Sequence, residues 1–204
     1  MVKVINPPNN GWLEHKLNQD ELKHLWMCVD EQVDDAKSQL IGHVNKSINI
    51  KDIGDLFLYN TINNLIREFS TCFSTGTKHT NIYKEHPYFL KDFWVNYQYK
   101  HEYQPTHNHG GAYSFVIWLK IPTDYEEQNK DNTANTKLNS CFEIQYLNVL
   151  GETCMYRYQL TKDDEGTMLF FPSRLLHAVY PYYNCDDERV SISGNVWLNT
   201  DVTR

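Results

Sequence analysis

The feature that most constrains the fold is a change in the spacing of apolar residues near residue 92. Before that point apolar residues recur every three or four positions, and after it they alternate with other residues in short runs rich in aromatic and β-branched side chains. Alternation is typical of strands. The strands are predicted at 93–99, 113–119, 142–146, 156–160, 168–171 and 190–198. The expected fold class is α+β, mainly β: a double-stranded β-helix, or jelly roll, with N-terminal helices packed on its outer face.

Two amphipathic helices are predicted before the strands. Asn18, with Glu21 three residues later, has the pattern of a helix N-cap. A first apolar stripe then follows at helical spacing, and Gly42 would end that helix. Its members are Leu22, Leu25, Trp26, Val29, Val33, Ala36 and Leu40. The members of a second stripe are Leu58, Ile62, Leu65, Ile66, Phe69 and Phe73.

The length of 204 residues fits a single domain over 1–204. We expect residues 1–90 to form a helical support region and residues 91–200 the jelly-roll core. Residues 122–140 are polar and show no periodicity, so they are predicted to form a long loop. A loop of that length in a compact domain is either disordered or functional, for instance as a lid.

Composition and charge limit the partners and the compartment. The net charge is -7 and no basic run is present, which disfavours nucleic acid. The five cysteines form no CxxC pair, as expected of ordinary buried residues in a reducing compartment. No apolar stretch approaches the length of a membrane span, and the N-terminus lacks a signal-peptide core. We therefore expect a soluble, cytoplasmic protein with no membrane contact.

Three histidines form a candidate metal site. His107 and His109 are two residues apart in an extended segment, so their side chains can aim at one point. His177 follows the apolar run that ends at Pro172, and strands distant in sequence meet at the mouth of a jelly roll. Neutral imidazole suits iron, zinc, copper and nickel. The sequence therefore predicts a metal held by His107, His109 and His177.

An arginine near the last strand is a candidate anion-binding residue. Arg189 and Ser191 alternate onto one face, where a guanidinium and a hydroxyl could hold a carboxylate. The alternative is a surface ion pair between Arg189 and the acidic residues 186–188. Arg174, in the turn after Pro172, is a second candidate that could contact the substrate.

These motifs, in this order, resemble those of the iron(II)/2-oxoglutarate-dependent oxygenases. The pattern is an HxH pair (usually HxD) before a strand, then FP-x4-H, then R-x-S twelve residues after the histidine. The segments 94–98, 105–109 and 114–116 are similar to oxygenases encoded by tailed marine phages. The resemblance extends over roughly residues 90 to 200. A phage origin would place the protein in the host cytoplasm.

The resemblance implies the cofactor, the reaction and the roles of residues. Iron(II) would be the metal and 2-oxoglutarate the co-substrate, whose distal carboxylate Arg189 and Ser191 would bind. An early-strand tyrosine often helps to hold this co-substrate, and the candidates are Tyr97, Tyr99 and Tyr113. The implied activity is that of a dioxygenase that hydroxylates a small-molecule or peptide substrate and releases succinate and CO2. No catalytic residue beyond the metal centre is implied.

His109 departs from the family pattern, because a carboxylate normally stands at that position. Either His109 replaces the carboxylate as a ligand, or it lies behind the ligands. In the second case water or another residue, such as Glu102 or Asp92, completes the site. Two other functions also stay open: a cupin-like metalloenzyme without 2-oxoglutarate, and a non-catalytic jelly-roll binding module. The three intact histidines weigh against the second of these.

Overall fold

The computed structural model describes residues 2–5, 9–37, 40–73 and 87–199. The elements in chain order are β1 (Leu13–Lys16), α1 (Gln19–Asp30), β2 (Gln32–Asp35), β3 (Lys46–Ile50), α2 (Asn63–Cys72), β4 (Tyr88–Gln98), β5 (Gln104–His107), β6 (Tyr113–Lys120), α3 (Tyr125–Asn129), β7 (Cys141–Leu147), β8 (Thr153–Gln159), β9 (Thr167–Pro172), β10 (Leu176–Val179) and β11 (Arg189–Leu198). All of the strands predicted from alternation are present. A π-helical turn, Leu58–Ile62, leads directly into α2.

The strands form two antiparallel sheets. The large sheet has the order β1-β9-β6-β11-β4-β3-β2, and the small sheet has the order β5-β10-β7-β8. Apolar side chains of β6 and β9 pack against those of β7 in one core between the sheets, for example Val116 and Phe171 against Phe142 and Ile144. The predicted mainly β, double-sheet architecture is confirmed.

The two helices cover the outer face of the large sheet, as predicted. Leu25 of α1 and Phe69 of α2 share a second apolar core with Phe93, Phe115 and Ile117 of the sheet. Each helix buries its apolar stripe in this way, while its other face stays in water. None of the helices in the described parts of the chain is long and apolar enough to cross a membrane.

The first helix begins where predicted but ends sooner. Asn18 accepts hydrogen bonds from two backbone N–H groups and Glu21 bonds back to the cap, which confirms the N-cap. The helix ends at Asp30, so its expected continuation through Val33 and Ala36 to Gly42 is wrong. The last turn of α1 carries no basic residue, and an acidic end interacts unfavourably with the helix dipole. Val33 instead lies in β2, which pairs with β3.

The N-terminal region is not purely helical, contrary to the prediction for residues 1–90. It also supplies β1, which pairs with β9, and β3, which pairs with β4. These strands have only four or five residues, too few for alternation to stand out from the background. The region therefore extends the large sheet as well as covering it.

The predicted loop 122–140 is partly ordered as a short helix, which corrects that prediction. Asp124 caps α3 by accepting from the backbone N–H groups of Glu126 and Glu127. Tyr125 and Asn129 are buried, and the Asn129 side chain donates to two backbone carbonyls. These contacts hold the segment against the barrel, which fits a packed connection better than a lid.

Strand β7 also differs from its expected pattern. Glu143 and Gln145 alternate with apolar residues, a pattern that predicts one solvated face, but only 2% of Glu143 is exposed. Its carboxylate accepts hydrogen bonds from Arg157 and Gln145, so the buried charge is paired. Sequence alternation showed the strand correctly but could not show this covering of its polar face.

Candidate metal and co-substrate site

Sheet pairing brings two of the three histidines together. His107 is the last residue of β5 and lies directly opposite His177 of β10. Because opposed residues on paired strands project to the same face, the two imidazoles stand side by side. Their ring centroids are 4.3 Å apart.

His109 completes the group from the segment after β5. Its backbone N–H donates to the carbonyl of Ser173 at 2.8 Å, which ties this segment to the turn after β9. The Nε2 atoms of His109 and His177 are 3.2 Å apart. One ligand atom from each histidine lies within 4.8 Å of the others. The structure thus brings together the three residues that the sequence predicted as ligands.

Backbone hydrogen bonds orient two of the imidazoles. Nδ1 of His107 lies 2.7 Å from the carbonyl oxygen of Pro105, and Nδ1 of His177 lies 2.9 Å from that of Leu175. A carbonyl oxygen only accepts, so both Nδ1 atoms carry the proton and both Nε2 atoms keep a free lone pair. Such outer contacts are typical of metal-binding histidines.

Burial keeps the three imidazoles neutral. It lowers the pKa of His107, and together with the neighbouring imidazoles it lowers the pKa of His109 to about 4 and that of His177 to about 3. A metal binds neutral imidazole, so none of these groups must lose a proton at neutral pH. The donor set therefore fits a divalent metal such as iron(II).

The carboxylates proposed as alternative third ligands have other partners. Glu102 accepts from the backbone N–H groups of Asn45 and Tyr99. Asp92 accepts from the side-chain amide of Asn195 at 3.0 Å. Neither carboxylate belongs to the histidine group found within the described residues. His109 is thus the residue whose position suits the third ligand.

Arg189 is a buried cation without an anionic partner among the described residues. Only 1% of it is exposed. One terminal nitrogen donates to Gln98 Oε1 at 3.3 Å and the other to Ser140 Oγ, but Nε has no partner. Burial lowers the pKa of Arg189 to about 10, so it stays charged at neutral pH. Burying a cation without an anionic partner is unfavourable, so an anion is expected to bind beside Arg189.

The alternative of a surface ion pair at Arg189 is wrong. Asp186 pairs with Lys100 at 2.5 Å, and Glu188 pairs with Lys120 at 3.2 Å. Asp187 accepts from the hydroxyl of Tyr182 through its backbone carbonyl. Arg189 instead begins β11 with its side chain directed into the protein.

One cavity of about 270 Å³ joins the histidines to Arg189. Both sheets line it, and the loop residues Leu40, Ile41, Asn108 and His109 complete its wall. The large sheet contributes Trp94, Asn96, Gln98, Phe115, Val116, Trp118, Phe171, Arg189, Ser191 and Ser193, while the small sheet contributes Gln104, His107, Phe142, His177 and Val179. Arg189 and Ser191 share a wall, as their alternation predicted.

Four predicted site residues lie elsewhere. Tyr97 packs under the ammonium of Lys46, Tyr99 is exposed beyond β4, and Tyr113 stacks on Phe170 in the helix-facing core. The co-substrate role predicted for these tyrosines does not fit their positions, because none of them lines the cavity. Tyr113 belongs to the core that faces the helices, Tyr97 packs against that core, and Tyr99 lies beyond the end of β4. Arg174 is exposed and does not line the cavity, so its predicted substrate contact is not supported either.

Four residues that line the cavity or contact Arg189 were not predicted from the sequence: Trp94, Asn96 and Gln98 of β4, and Ser140 just before β7. Trp94, Asn96 and Gln98 alternate with the predicted Tyr97, and alternation alone does not tell which of these two faces of β4 turns to the cavity. Ser140 gave no signal, because it follows an irregular segment and reaches Arg189 only through the fold.

A double-sheet barrel with three imidazoles and a buried guanidinium around one cavity is an arrangement that can hold a metal with an anion beside it. The model of a 2OG-Fe(II) oxygenase family matches residues 92–195, half of the chain. The chain belongs to this family. Its enzymes use iron(II) and 2-oxoglutarate, and the histidine group is a potential site for the metal.

Solved structures share the fold at low sequence identity. An oxidoreductase of the 2OG-Fe(II) oxygenase family from Burkholderia pseudomallei is 13% identical, with a TM-score of 0.52 over 89% of this chain and 80% of the other. A Trichoplax adhaerens prolyl hydroxylase in complex with a peptide fragment of hypoxia inducible factor is 12% identical, with a TM-score of 0.52 over 93% and 83%.

The epimerase SnoN from nogalamycin biosynthesis, which is non-heme and alpha-ketoglutarate dependent, is 11% identical, with a TM-score of 0.53 over 93% and 77%. No curated protein matches the sequence significantly. The structural likenesses confirm the double-stranded β-helix, and the family membership identifies an iron(II)- and 2-oxoglutarate-dependent oxygenase. It does not support a metalloenzyme without 2-oxoglutarate or a non-catalytic module.

Proposed function

We propose that this enzyme hydroxylates its substrate at a cavity where His107, His109 and His177 hold iron(II) and Arg189 holds 2-oxoglutarate. The observation that carries the proposal is the unpaired, buried guanidinium of Arg189 in the same cavity as the three imidazoles. A dicarboxylate that reaches from the metal to Arg189 satisfies both groups. The expected products of co-substrate turnover are succinate and CO2.

The protein supplies the geometry of the metal site. The bonds from Nδ1 of His107 and His177 to backbone carbonyls fix the direction of the two Nε2 lone pairs. When bound there, iron(II) supplies the redox chemistry that couples oxygen and 2-oxoglutarate to oxidation of a C–H bond. His109 takes the place of the usual carboxylate, so the three ligands leave the site one unit more positive than in the common arrangement.

Neighbouring side chains hold the guanidinium of Arg189 in position to bind a carboxylate. Gln98 and Ser140 each hold one terminal nitrogen, and the ring of Tyr182 lies 5.2 Å from the guanidinium carbon. Nε and the remaining N–H groups stay free to donate. The hydroxyl of Ser191, on the same face of β11, supplies a further hydrogen bond. Charge-assisted bonds of this kind are strong in a buried site.

Apolar walls keep bulk water out of the cavity. Val116, Phe142 and Phe171 line it between the sheets, and each is buried. Exclusion of water strengthens the electrostatic contacts inside and protects reactive species from side reactions.

We also propose an origin, a compartment and a class of substrate for this protein. The resemblance of segments 94–98, 105–109 and 114–116 to oxygenases of tailed marine phages supports a phage origin and a place in the host cytoplasm. The substrate is proposed to be a peptide or a small molecule. Of the proteins with a similar fold, one was solved with a peptide and another belongs to nogalamycin biosynthesis.

Succinate release measured against 2-oxoglutarate concentration tests the role of Arg189. In Arg189→Gln we expect the KM for 2-oxoglutarate to rise about 100-fold or more, because a charge-assisted contact is lost and a buried amide replaces the cation. Iron(II) binding should persist. Arg174→Gln is the matched control, since Arg174 is exposed and outside the cavity. An unchanged KM in Arg189→Gln would refute the proposed role.

A further inference from the structure

The cavity carries one permanent charge. Of the described residues that line it, only Arg189 is formally charged at neutral pH, and no aspartate, glutamate or lysine is among them. The other ionisable groups are the three histidines, whose pKa values burial lowers. Once a co-substrate carboxylate pairs with Arg189, the walls that remain are uncharged.

An uncharged wall selects against charged substrates. A buried ammonium, carboxylate or phosphate without a partner is strongly disfavoured. Beyond the metal and Arg189, which the two carboxylates of the co-substrate would occupy, the described walls offer no ion to pair with it. It offers amides instead, from Asn96, Gln104 and Asn108. The part of the substrate that enters is therefore neutral.

The described residues at the mouth of the cavity are also uncharged. Ile41 and Asn108 line the cavity and are exposed, so they lie at its entrance. The backbone N–H of Gly42 donates to Gln104 Oε1 at 2.8 Å, which fixes the neighbouring Ile41. A Cβ at Gly42 would lie 2.3 Å from the carbonyl oxygen of Tyr103, so only glycine permits this close approach.

An indole in the wall lacks a hydrogen-bond acceptor. In the described chain, the buried side-chain nitrogens without partners are Nε1 of Trp94, Nε of Arg189 and Nε1 of Trp197. Trp94 and Arg189 line the cavity, and Trp197 does not. The ring of Trp94 lies 5.9 Å from that of His109. A buried donor left unpaired is costly, so each cavity donor is expected to gain an acceptor from a bound molecule.

We infer that the substrate is a neutral, amide-bearing molecule such as a peptide segment, and that the indole N–H of Trp94 donates to one of its carbonyl oxygens beside the metal. The inference rests on the proposed function, in which Arg189 takes the co-substrate. The hydrogen bond from Trp94 would determine which part of the substrate faces His109 and the metal.

The test uses the protein labelled with ¹⁵N at tryptophan and loaded with zinc(II) and 2-oxoglutarate. The probes are a pool of tripeptides capped as N-acetyl amides, and the matched controls are the corresponding free amino acids. Trp94→Phe assigns the indole signal of Trp94. We expect the capped pool to move this signal downfield and, with iron(II), to stimulate succinate release. The free amino acids should do neither. An equal response to the free amino acids, or none to the capped pool, would overturn the inference.

Two variants test the hydrogen bond itself. Trp94→Phe keeps a ring in the wall and removes the N–H, so the KM for a stimulating peptide should rise about three- to tenfold. Trp197→Phe removes an equally unpaired indole N–H outside the cavity and should leave that KM unchanged. Equal effects of the two variants, or no effect of Trp94→Phe, would contradict the assignment.

The result also separates this inference from the proposed function. If the wild-type protein releases no succinate with iron(II) and 2-oxoglutarate under any condition, the proposed function fails and the inference fails with it. If succinate is released but 2-oxoglutarate alone moves the Trp94 signal downfield, the N–H serves the co-substrate. The inference then fails while the proposed function stands.

Discussion

Burial of the histidines makes the metal-free protein sensitive to acid. His177 is 4% exposed, and burial lowers its pKa to about 3 from a value near 6.5 in an unfolded chain. Above pH 6.5 both states are neutral and the folded state has its full stability. Below that pH the unfolded chain takes up a proton that the folded state refuses, so stability falls as pH drops towards the folded pKa.

We expect His177 to contribute a loss of about 2 kcal/mol in the free energy of unfolding between pH 7 and pH 5. Urea unfolding of protein treated with a chelator measures the loss. His177→Leu is the comparison, because it removes the titrating group while keeping an apolar side chain against Phe142 and Phe171. An equal loss of stability in the wild type and in His177→Leu would contradict the expected contribution.

The identity of the third ligand is a second question at the residue scale. His109→Asp restores the carboxylate usual at this position and should retain iron(II), whereas His109→Leu should weaken iron(II) binding by about tenfold or more. Anaerobic iron(II) titration measures both affinities. Wild-type affinity in His109→Leu would show that two imidazoles hold the metal without His109.

Residue spacing predicted part of the site because the relevant geometry is local. The alternation of His107 with His109 and of Arg189 with Ser191 follows from the pleat of an extended chain. The face of β4 does not follow in this way, since either parity could turn inward. The resemblance offers Tyr97 as one of three tyrosine candidates, whereas Gln98 is the residue of β4 that contacts Arg189.

At the scale of elements, a second cluster of metal-type ligands has a structural explanation. His24, Cys28 and Asp52 offer ligand atoms within 4.8 Å of one another. Both oxygens of Asp52 accept backbone N–H groups, from Phe57 at 3.0 Å and Leu58 at 2.8 Å, and His24 lies 2.8 Å from one of them. Asp52 therefore caps the helical segment that leads into α2.

Removal of this cap should destabilise the helical layer. Asp52→Ala is expected to lower the free energy of unfolding by about 2 kcal/mol, because the two N–H groups lose their acceptor and His24 loses its partner. Urea unfolding measures the change. Asp30→Ala, which removes an exposed carboxylate at the end of α1, should stay within about 0.5 kcal/mol of the wild type. Equal stability of Asp52→Ala and the wild type would exclude the capping role.

Elements were predicted well where they are long and periodic. Strands β4, β6 and β11 have eight to eleven residues and α2 follows a clear stripe. Strands β1, β2, β3, β5 and β10 have four or five residues, and except for the pairing of β2 with β3 their partners lie far away in the chain. Such short strands are stabilised by the sheet they join, so the local sequence carries little sign of them.

At the scale of the whole molecule, the two faces of the large sheet have different roles. The helices bury one face of the large sheet, and the opposite face, with the small sheet, encloses the cavity. The three histidines, from β5, β10 and the segment between β5 and β6, thus share one cavity with Arg189 of β11. The pairing of strands distant in sequence brings these side chains together. The order of the motifs indicated this proximity only indirectly, through the resemblance to a family.

The central claim is that iron(II) and 2-oxoglutarate bind together in this cavity. Anaerobic titration of the metal-free protein, followed by visible absorption, tests it most directly. We predict a weak charge-transfer band that requires both iron(II) and 2-oxoglutarate and that is absent from His177→Ala. No band in the wild type, or an undiminished band in His177→Ala, would contradict the account.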